Sequence, residues 1–338
     1  MKNKKLTFSK KKIALCVLAV CLILFALISR TEKIESPDYG VSFNTLYADE
    51  LNLDWKEVYD AMLGELGVKR VRLAAHWNMV EKENGKYSFE EMDYQVQEAA
   101  KRDVEVIFAV GKRLPRWPEC HVPEWAQGLS KEEMEAEILE YIETFVKRYE
   151  KYDNITTWQV ENEPFLGSFA LEYCNNFDKE FLQKEIDLVR SLDSKNRPVM
   201  VTDSGELSTW RKPFNMGDTF GTTLYVYSFN GVMGAFRNPV LPSFYSFRTN
   251  LWRLLGSDTE PIIAELALEP WLDKPVVNES MEVLVDRMSP EKFETVIEFA
   301  KKTGMRTQYL WGAEWWYYMR EQGNDWYWER GKELFTNR

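Results

Sequence analysis

Two hydrophobic rhythms take turns along this chain. Short runs dense in β-branched and aromatic residues alternate with longer stretches whose apolar positions fall three and four apart, such as Val58, Met62, Leu63 and Leu66. The first rhythm predicts strands at Tyr39–Phe43, Val68–Ala75, Val104–Val110, Ile155–Val160, Pro198–Thr202, Thr222–Tyr227, Pro261–Ala264 and Thr307–Trp311. The second predicts helices over Trp55–Leu66, Ser88–Lys101, Ser130–Tyr152, Lys179–Leu192, Phe244–Leu255, Pro290–Lys302 and Asp325–Leu334, with a weak helical stretch near Ser208. Gly67 and Gly304 stop two of them, and Ser88 followed by Glu91 reads as a capping box. Eight strand–helix units over roughly 300 residues have the count and length of a closed (β/α)8 barrel. No glycine fingerprint follows the first strand and no P-loop occurs, so a nucleotide-binding doubly wound sheet has no support. No Pro/Gly/Ser-rich linker divides the barrel.

The N-terminus departs from both rhythms. Lys2, Lys4, Lys5, Lys10, Lys11 and Lys12 precede an uncharged apolar run from Ile13 to Ser29. Those seventeen residues span about 25 Å as a helix, at the lower limit for a bilayer. Lysines before the run predict a cytoplasmic tail (1–12), a transmembrane signal anchor (13–29), a linker (30–37) and an extracytoplasmic catalytic domain (38–338). Ala26-Leu-Ile-Ser29 is a poor cleavage site, and Val20 before Cys21 argues against a lipoprotein box. An uncleaved anchor is expected, with secretion after cleavage as the alternative. Eight linker residues reach about 26 Å at most, so the domain is expected close to the membrane.

In a barrel of parallel strands the chemistry sits at the strands' C-terminal ends. The fourth predicted strand ends in Glu161-Asn162-Glu163-Pro164 and the seventh in Glu265. Carboxylates at the exits of core strands are costly unless they line a cavity, and a pair of them is what glycoside cleavage requires. Arg72, His76 and Trp77 follow strand two, Trp117 follows strand three, and Trp311 ends strand eight. Tyr225 and Tyr227 are placed by period two on one face of strand six. Glu161, Glu269 and Glu314 read as substrate contacts or salt-bridge partners. Arg113 and Arg116 read as braces for Glu119 or Glu124 ahead of binders of an acidic sugar. Trp326 and Trp328 read as core.

These motifs resemble the retaining (β/α)8 glycoside hydrolases of clan A, with similarity to families 5, 39 and 42. The likeness rests on Asn162-Glu163-Pro164, on Ile263-Ala-Glu265, on Arg72 with Trp77, on Val80-Glu-Lys-Glu-Asn-Gly85 with Tyr87-Ser-Phe89, and on Trp311. It spans Tyr39 to about Trp316. The resemblance implies a single TIM barrel with Glu163 as acid/base and Glu265 as nucleophile. It implies that Arg72 and the Tyr227 hydroxyl hold Glu265 ionised, that Asn162 meets the sugar 2-hydroxyl, and that Trp311, with Trp77 and Trp117, forms sugar platforms. His76 reads first as a hydrogen-bonded wall and second as a substrate contact. Tyr225 stands where many members have His, and Leu266 replaces the usual small or aromatic residue after the nucleophile.

Charge narrows the partners. The first thirty residues hold seven of the 43 Lys and Arg and none of the 54 acids, leaving a net −18 on the remainder. Such a surface repels nucleic acid and anionic lipid, and suits a neutral or cationic carbohydrate. With two His and no Cys pair at ligand spacing, neither a metal nor an organic cofactor is expected. Cys120 and Cys174 follow strands on one barrel face; a disulfide and two buried thiols are both open. The function expected is a membrane-anchored retaining β-glycosidase. A transglycosylase on the same site and a non-catalytic carbohydrate-binding pseudoenzyme are the alternatives.

Overall fold

The computed structural model describes residues 10–167, 174 and 178–336. Eight parallel strands close into a barrel: β1 (Asp38–Ser42), β2 (Arg70–Ala74), β3 (Glu105–Val110), β4 (Ile155–Val160), β5 (Val199–Asp203), β6 (Thr219–Leu224), β9 (Pro261–Ala267) and β10 (Thr307–Trp311). Closure is made by β1, which pairs with β10 from Asp38↔Thr307 to Ser42↔Trp311 and with β2 on its other edge. Between β6 and β9 an antiparallel hairpin of β7 (Tyr227–Asn230) and β8 (Gly234–Arg237) rises from the rim.

Helices wrap the strands because each carries one apolar stripe. In Lys131–Tyr149 the buried residues are Ile138, Tyr141, Ile142, Phe145, Val146 and Tyr149, at helical spacing. Ser130 and Glu133 close a capping box at its start. The box expected at Ser88 and Glu91 is absent: that helix begins at Glu90, and the Glu91 carboxylate instead accepts from Thr45 Oγ1 at 2.7 Å. Inside the barrel Ile107, Met200, Ala264 and Tyr309 form a separate small core. Gly40 makes room for it, since a Cβ there would meet the Tyr309 ring at 2.7 Å.

Two elements differ from expectation. No helix follows β5; residues 204–218 run as turns, with Trp210 and Phe214 stacked into the core near Phe220. Strand six lies three residues earlier than predicted, fixed by Met200↔Thr219 and Phe220↔Pro261. Asp218 sets that start by accepting from the Val199 N–H at 2.9 Å.

The helix Lys10–Ile28 is long and apolar enough to cross a membrane by length and composition. Its last turn packs on the barrel helix Pro242–Leu254, with Phe25 and Phe247 ring centroids 5.0 Å apart. Asn250 Nδ2 donates to the carbonyls of Ile28 (2.7 Å) and Arg30 (3.0 Å). The linker then runs along the barrel base: Lys33 pairs with Glu298 at 2.9 Å, and the Ile34 N–H donates to the Lys301 carbonyl at 3.0 Å.

Candidate active site

The exit of β4 turns sharply. Glu161 and Glu163 both adopt left-handed backbone (φ 58° and 46°) on either side of Asn162. For non-glycine residues such strain persists only where surroundings over-determine it. Here Glu161 supplies the constraint. It is buried, and its two oxygens accept from the backbone N–H groups of Lys112 (2.8 Å) and Arg113 (2.6 Å). Gly111 permits this approach, because a Cβ there would lie 2.6 Å from the Glu161 carboxylate. Glu161 therefore ties the β3 loop to β4.

Beyond that tie, Glu163 enters the barrel mouth. Its N–H donates to Thr202 Oγ1 at 2.9 Å, and its Oε1 accepts from Thr223 Oγ1 at 3.2 Å. Burial pushes its carboxyl well above the usual range, and the nearby Glu119 and Glu265 carboxylates push it further. Burial and two neighbouring acids thus favour the protonated form of this carboxyl.

One guanidinium organises the floor opposite. Arg72, buried, donates from Nη1 to Glu265 Oε1 (2.8 Å), from Nη2 to Asn162 Oδ1 (2.8 Å) and from Nε to Gln159 Oε1 (2.7 Å). Asn162 Oδ1 also accepts from Thr202 Oγ1 at 3.0 Å. Its oxygen is thus committed to protein donors, which leaves Nδ2–H2 as the group Asn162 can offer to the cavity it lines. The other oxygen of Glu265 accepts from the Tyr225 hydroxyl at 2.8 Å. One charged and one neutral donor thus fix both oxygens of this buried carboxylate.

A cavity of about 290 Å³ opens over these groups, lined by Asn162, Glu265, Tyr225 and Glu119 and walled by Tyr47, Trp117, Trp271 and Trp311. Trp311 is oriented by its indole N–H, which donates to Glu269 Oε1 at 2.8 Å. Glu269 in turn pairs with Arg116 at 2.7 Å, whose guanidinium lies 3.2 Å from the Tyr47 ring centroid. Trp117 stands at the mouth, 52% exposed.

The structure brings Arg72, Asn162, Glu163, Tyr225, Glu265, Trp117 and Trp311 to one site. Three expected members stand elsewhere. Tyr227 opens the hairpin instead of facing Glu265, because β6 ends at Leu224; Tyr225 takes the position beside the carboxylate. Trp77 is core: its ring stacks on Tyr141 and its N–H donates to Glu81 at 2.7 Å. His76 is buried against His121 (ring centroids 4.0 Å) with Nε2 at 3.1 Å from the Pro115 carbonyl. Burial lowers its pKa to about 4, so it is a neutral wall residue.

Glu119 was not anticipated in the site. Arg113 holds it from Nε (2.9 Å) and Nη2 (2.6 Å), which leaves its charge facing Glu163. The next residue, Cys120, forms a disulfide with Cys174 across a Cα separation of 5.5 Å, tying the loops after β3 and β4 together. The sequence reading of Arg113 as a brace for Glu119 holds, and the neighbouring Cys120 was the signal that this pair borders the site. Glu206 is a second hidden contributor. Half-buried on the β5–β6 connection, it accepts from the Tyr225 N–H at 2.7 Å and so fixes that residue's backbone.

Known proteins share this arrangement at the level of fold. Residues 55–193 match the family model described as glycosyl hydrolase family 10. The barrel is similar to a variant of GH5_18 from Bifidobacterium longum subsp. longum in complex with Manβ1-4GlcNAc, at 12% identity and TM-score 0.56, covering 81% of this chain and 68% of that one. It is similar to a glycosylated endo-β-1,4-xylanase of family 10 from Gloeophyllum trabeum, at 15% identity and TM-score 0.52, covering 84% of each chain. It is also similar to a family 10 protein from Paenibacillus barcinonensis, at 17% identity and TM-score 0.52, covering 82% and 84%. No curated protein matches the chain. The resemblance is to the clan A glycoside hydrolases, whose members are retaining, with no single family assigned.

Proposed function

We propose that this chain, a glycoside hydrolase of the clan A barrel type, is a membrane-anchored extracytoplasmic β-glycosidase that works by double displacement. The observation that carries the reading is the Arg72 fork, which holds Glu265 and Asn162 at once, next to a Glu163 whose carboxyl is pushed well above its usual range. In the first step a Glu265 oxygen attacks the anomeric carbon while Glu163 gives its proton to the departing glycosidic oxygen. A glycosyl ester on Glu265 and a free alcohol result. In the second, Glu163 (now a carboxylate) takes a proton from water as the water oxygen displaces Glu265, restoring both groups. The Asn162 Nδ2 donor supports recognition of the 2-hydroxyl, where hydrogen bonding strengthens as the oxocarbenium character grows.

The aromatic walls support a sugar stacked by its apolar faces. A volume of about 290 Å³ is at the small end for ligand sites and favours a short or terminal unit. The neighbours' ligand and substrate, a Manβ1-4GlcNAc disaccharide and a β-1,4-xylan, support a β-linked neutral substrate. Anchoring is supported by the docking of Lys10–Ile28: cleavage near Ala26–Ser29 would remove the Ile28 carbonyl that Asn250 holds.

The test is hydrolysis of a panel of β-linked aryl glycosides and oligosaccharides by the full chain in detergent, with the product anomer read by NMR. The β-anomer must form first. Glu265→Ala is expected to lose activity by orders of magnitude and, with azide added, to yield the α-glycosyl azide. Glu163→Ala with azide is expected to yield the β-azide. Initial release of the α-anomer by the wild type would reject double displacement. Sugar binding without turnover across the panel would favour the pseudoenzyme.

A further inference from the structure

The helix Pro242–Leu254 is built inside out. Its buried residues are Tyr245, Ser246, Arg248 and Thr249. Arg248 stacks 3.7 Å from the Trp210 ring centroid and donates to the Gly205 and Ser208 carbonyls at 2.6 and 2.7 Å. Leu241, Phe244, Phe247, Leu251 and Leu254 follow at spacings of three and four on the other side. Leu254 and Leu255 are 70% and 66% exposed, and Leu241 and Phe244 are exposed as well. A helix on a water-washed flank shows the opposite pattern, with polar residues outward.

The hairpin before it shares the character. Val232 and Met233 at its tip are 97% and 62% exposed. Outside the N-terminal helix, eight large apolar side chains are exposed among the described residues, and six of them fall between Val232 and Leu255. Charge follows the same boundary. Acids are about one residue in six of this chain, yet no Asp, Glu or Lys occurs between Asp218 and Asp258, where the only charges are Arg237, Arg248 and Arg253. An apolar patch of this kind on a soluble surface marks an interaction site.

The occupant is indicated by what already touches the patch. Phe25 packs on Phe247, and the Ile28 carbonyl lies on Asn250. The two contacts advance in the same direction along both helices. The Lys10–Ile28 helix thus lies alongside Pro242–Leu254 over this turn, instead of leaving the barrel as a stalk. A bilayer that encloses the one helix therefore meets the flank presented by the other.

We propose that the outward face of Pro242–Leu254, together with the Val232–Met233 tip, is a lipid-facing surface. It seats one flank of the barrel in the headgroup boundary of the bilayer that holds the chain's own anchor. This rests on the membrane-anchor reading of Lys10–Ile28. The absence of acids over the segment removes the repulsion that the rest of the domain exerts on anionic lipid, and Arg237 and Arg253 supply attraction. Burying the patch in a membrane gives the chain a fixed tilt, with the rim bearing Tyr225 and Trp271 turned towards the lipid side.

Nitroxide labels on the full chain in phosphatidylcholine–phosphatidylglycerol vesicles test this. In a Cys16→Ser/Cys21→Ser background, single labels are placed through Leu24→Cys, Met233→Cys, Leu254→Cys and, on the opposite flank, Gln97→Cys. All four positions are exposed on their elements, so the fold is retained. Accessibility to oxygen and to a water-soluble nickel chelate is then compared. Labels at 24, 233 and 254 that favour oxygen, with 97 favouring nickel, bear the proposal out. A lipid-immersed label at 24 with 233 and 254 as aqueous as 97 overturns the surface and leaves the anchor standing. An aqueous label at 24 removes the anchor and the surface with it. Labels at 233 and 254 shielded from both reagents, with label–label dipolar broadening, would show a second copy on the face and overturn the lipid assignment.

Discussion

Removing one hydroxyl separates the two tyrosines that the sequence places together. Tyr225→Phe deletes the donor to Glu265 Oε2 at 2.8 Å and keeps the ring, which meets Trp271 edge-on at a centroid distance of 5.3 Å. Packing is preserved, so the fold is retained and the thermal midpoint falls by only about a few degrees. A hydrogen bond to a charged group contributes about 1.5–3 kcal/mol. In the double displacement proposed above, the bond bears on Glu265 as nucleophile and leaving group. At 1.36 kcal/mol per decade, its loss lowers kcat/KM by about 10- to 150-fold. Tyr227→Phe alters a hairpin residue whose ring faces Lys292 at 5.7 Å and should leave kcat/KM within about two-fold of wild type. The assay is the initial rate on the best aryl glycoside from the panel, with both variants measured at one pH. A Tyr227→Phe enzyme more impaired than Tyr225→Phe would refute the register of β6 described above. Two silent variants would refute the role assigned to the hydroxyl.

Three further outcomes follow from the site. The raised carboxyl of Glu163 means that kcat/KM declines as pH rises through its titration, and Glu163→Gln abolishes that limb. The same shift fixes a stability trend. A carboxyl raised on folding contributes stability below its unfolded range and loses it as pH climbs through the folded value. Calorimetry should therefore show Glu163→Gln gaining on wild type as pH increases; a constant difference would contradict the shift. Glu119→Gln removes a like charge facing Glu163 and exposes it to Arg113, so the basic limb should move to lower pH; an unmoved or upward limb would contradict that coupling. Trp117→Ala at the exposed mouth should raise KM by about 2- to 12-fold, the loss of one stacking contact, with kcat and thermal midpoint retained; a large fall in kcat would place it deeper in the reaction.

The barrel was readable because its period changes are global. Every strand that closes it overlaps a short run of apolar, aromatic or β-branched residues, and the strand-end carboxylates stand out by their cost. What escaped was set by contacts distant in sequence. Thr222–Tyr227 has full strand character, yet pairing with β5 and β9 draws the strand back to Thr219. That slip of three residues moves Tyr227 out of the site. The direction of Trp77 depends on Tyr141 and Trp125, which local pattern cannot report. Glu119 lies in a polar loop without periodicity, where Arg113 and the Cys120–Cys174 bond decide its position. The stretch near Ser208 has helical spacing, but Trp210 is claimed by Arg248 and Phe214 before a helix can form. The inverted helix Pro242–Leu254 was legible as a helix and not as inverted, since amphipathic spacing does not say which face turns inward.

The Arg72 fork has a consequence for how such a barrel can diversify. From β2 inside the barrel it joins an amide two residues past the end of β4 to a carboxylate on β9. Changes to the loops beyond Asn162 leave the three contacts of Arg72 with Gln159, Asn162 and Glu265 in place. What is recognised and how the reacting groups are spaced are therefore under separate control.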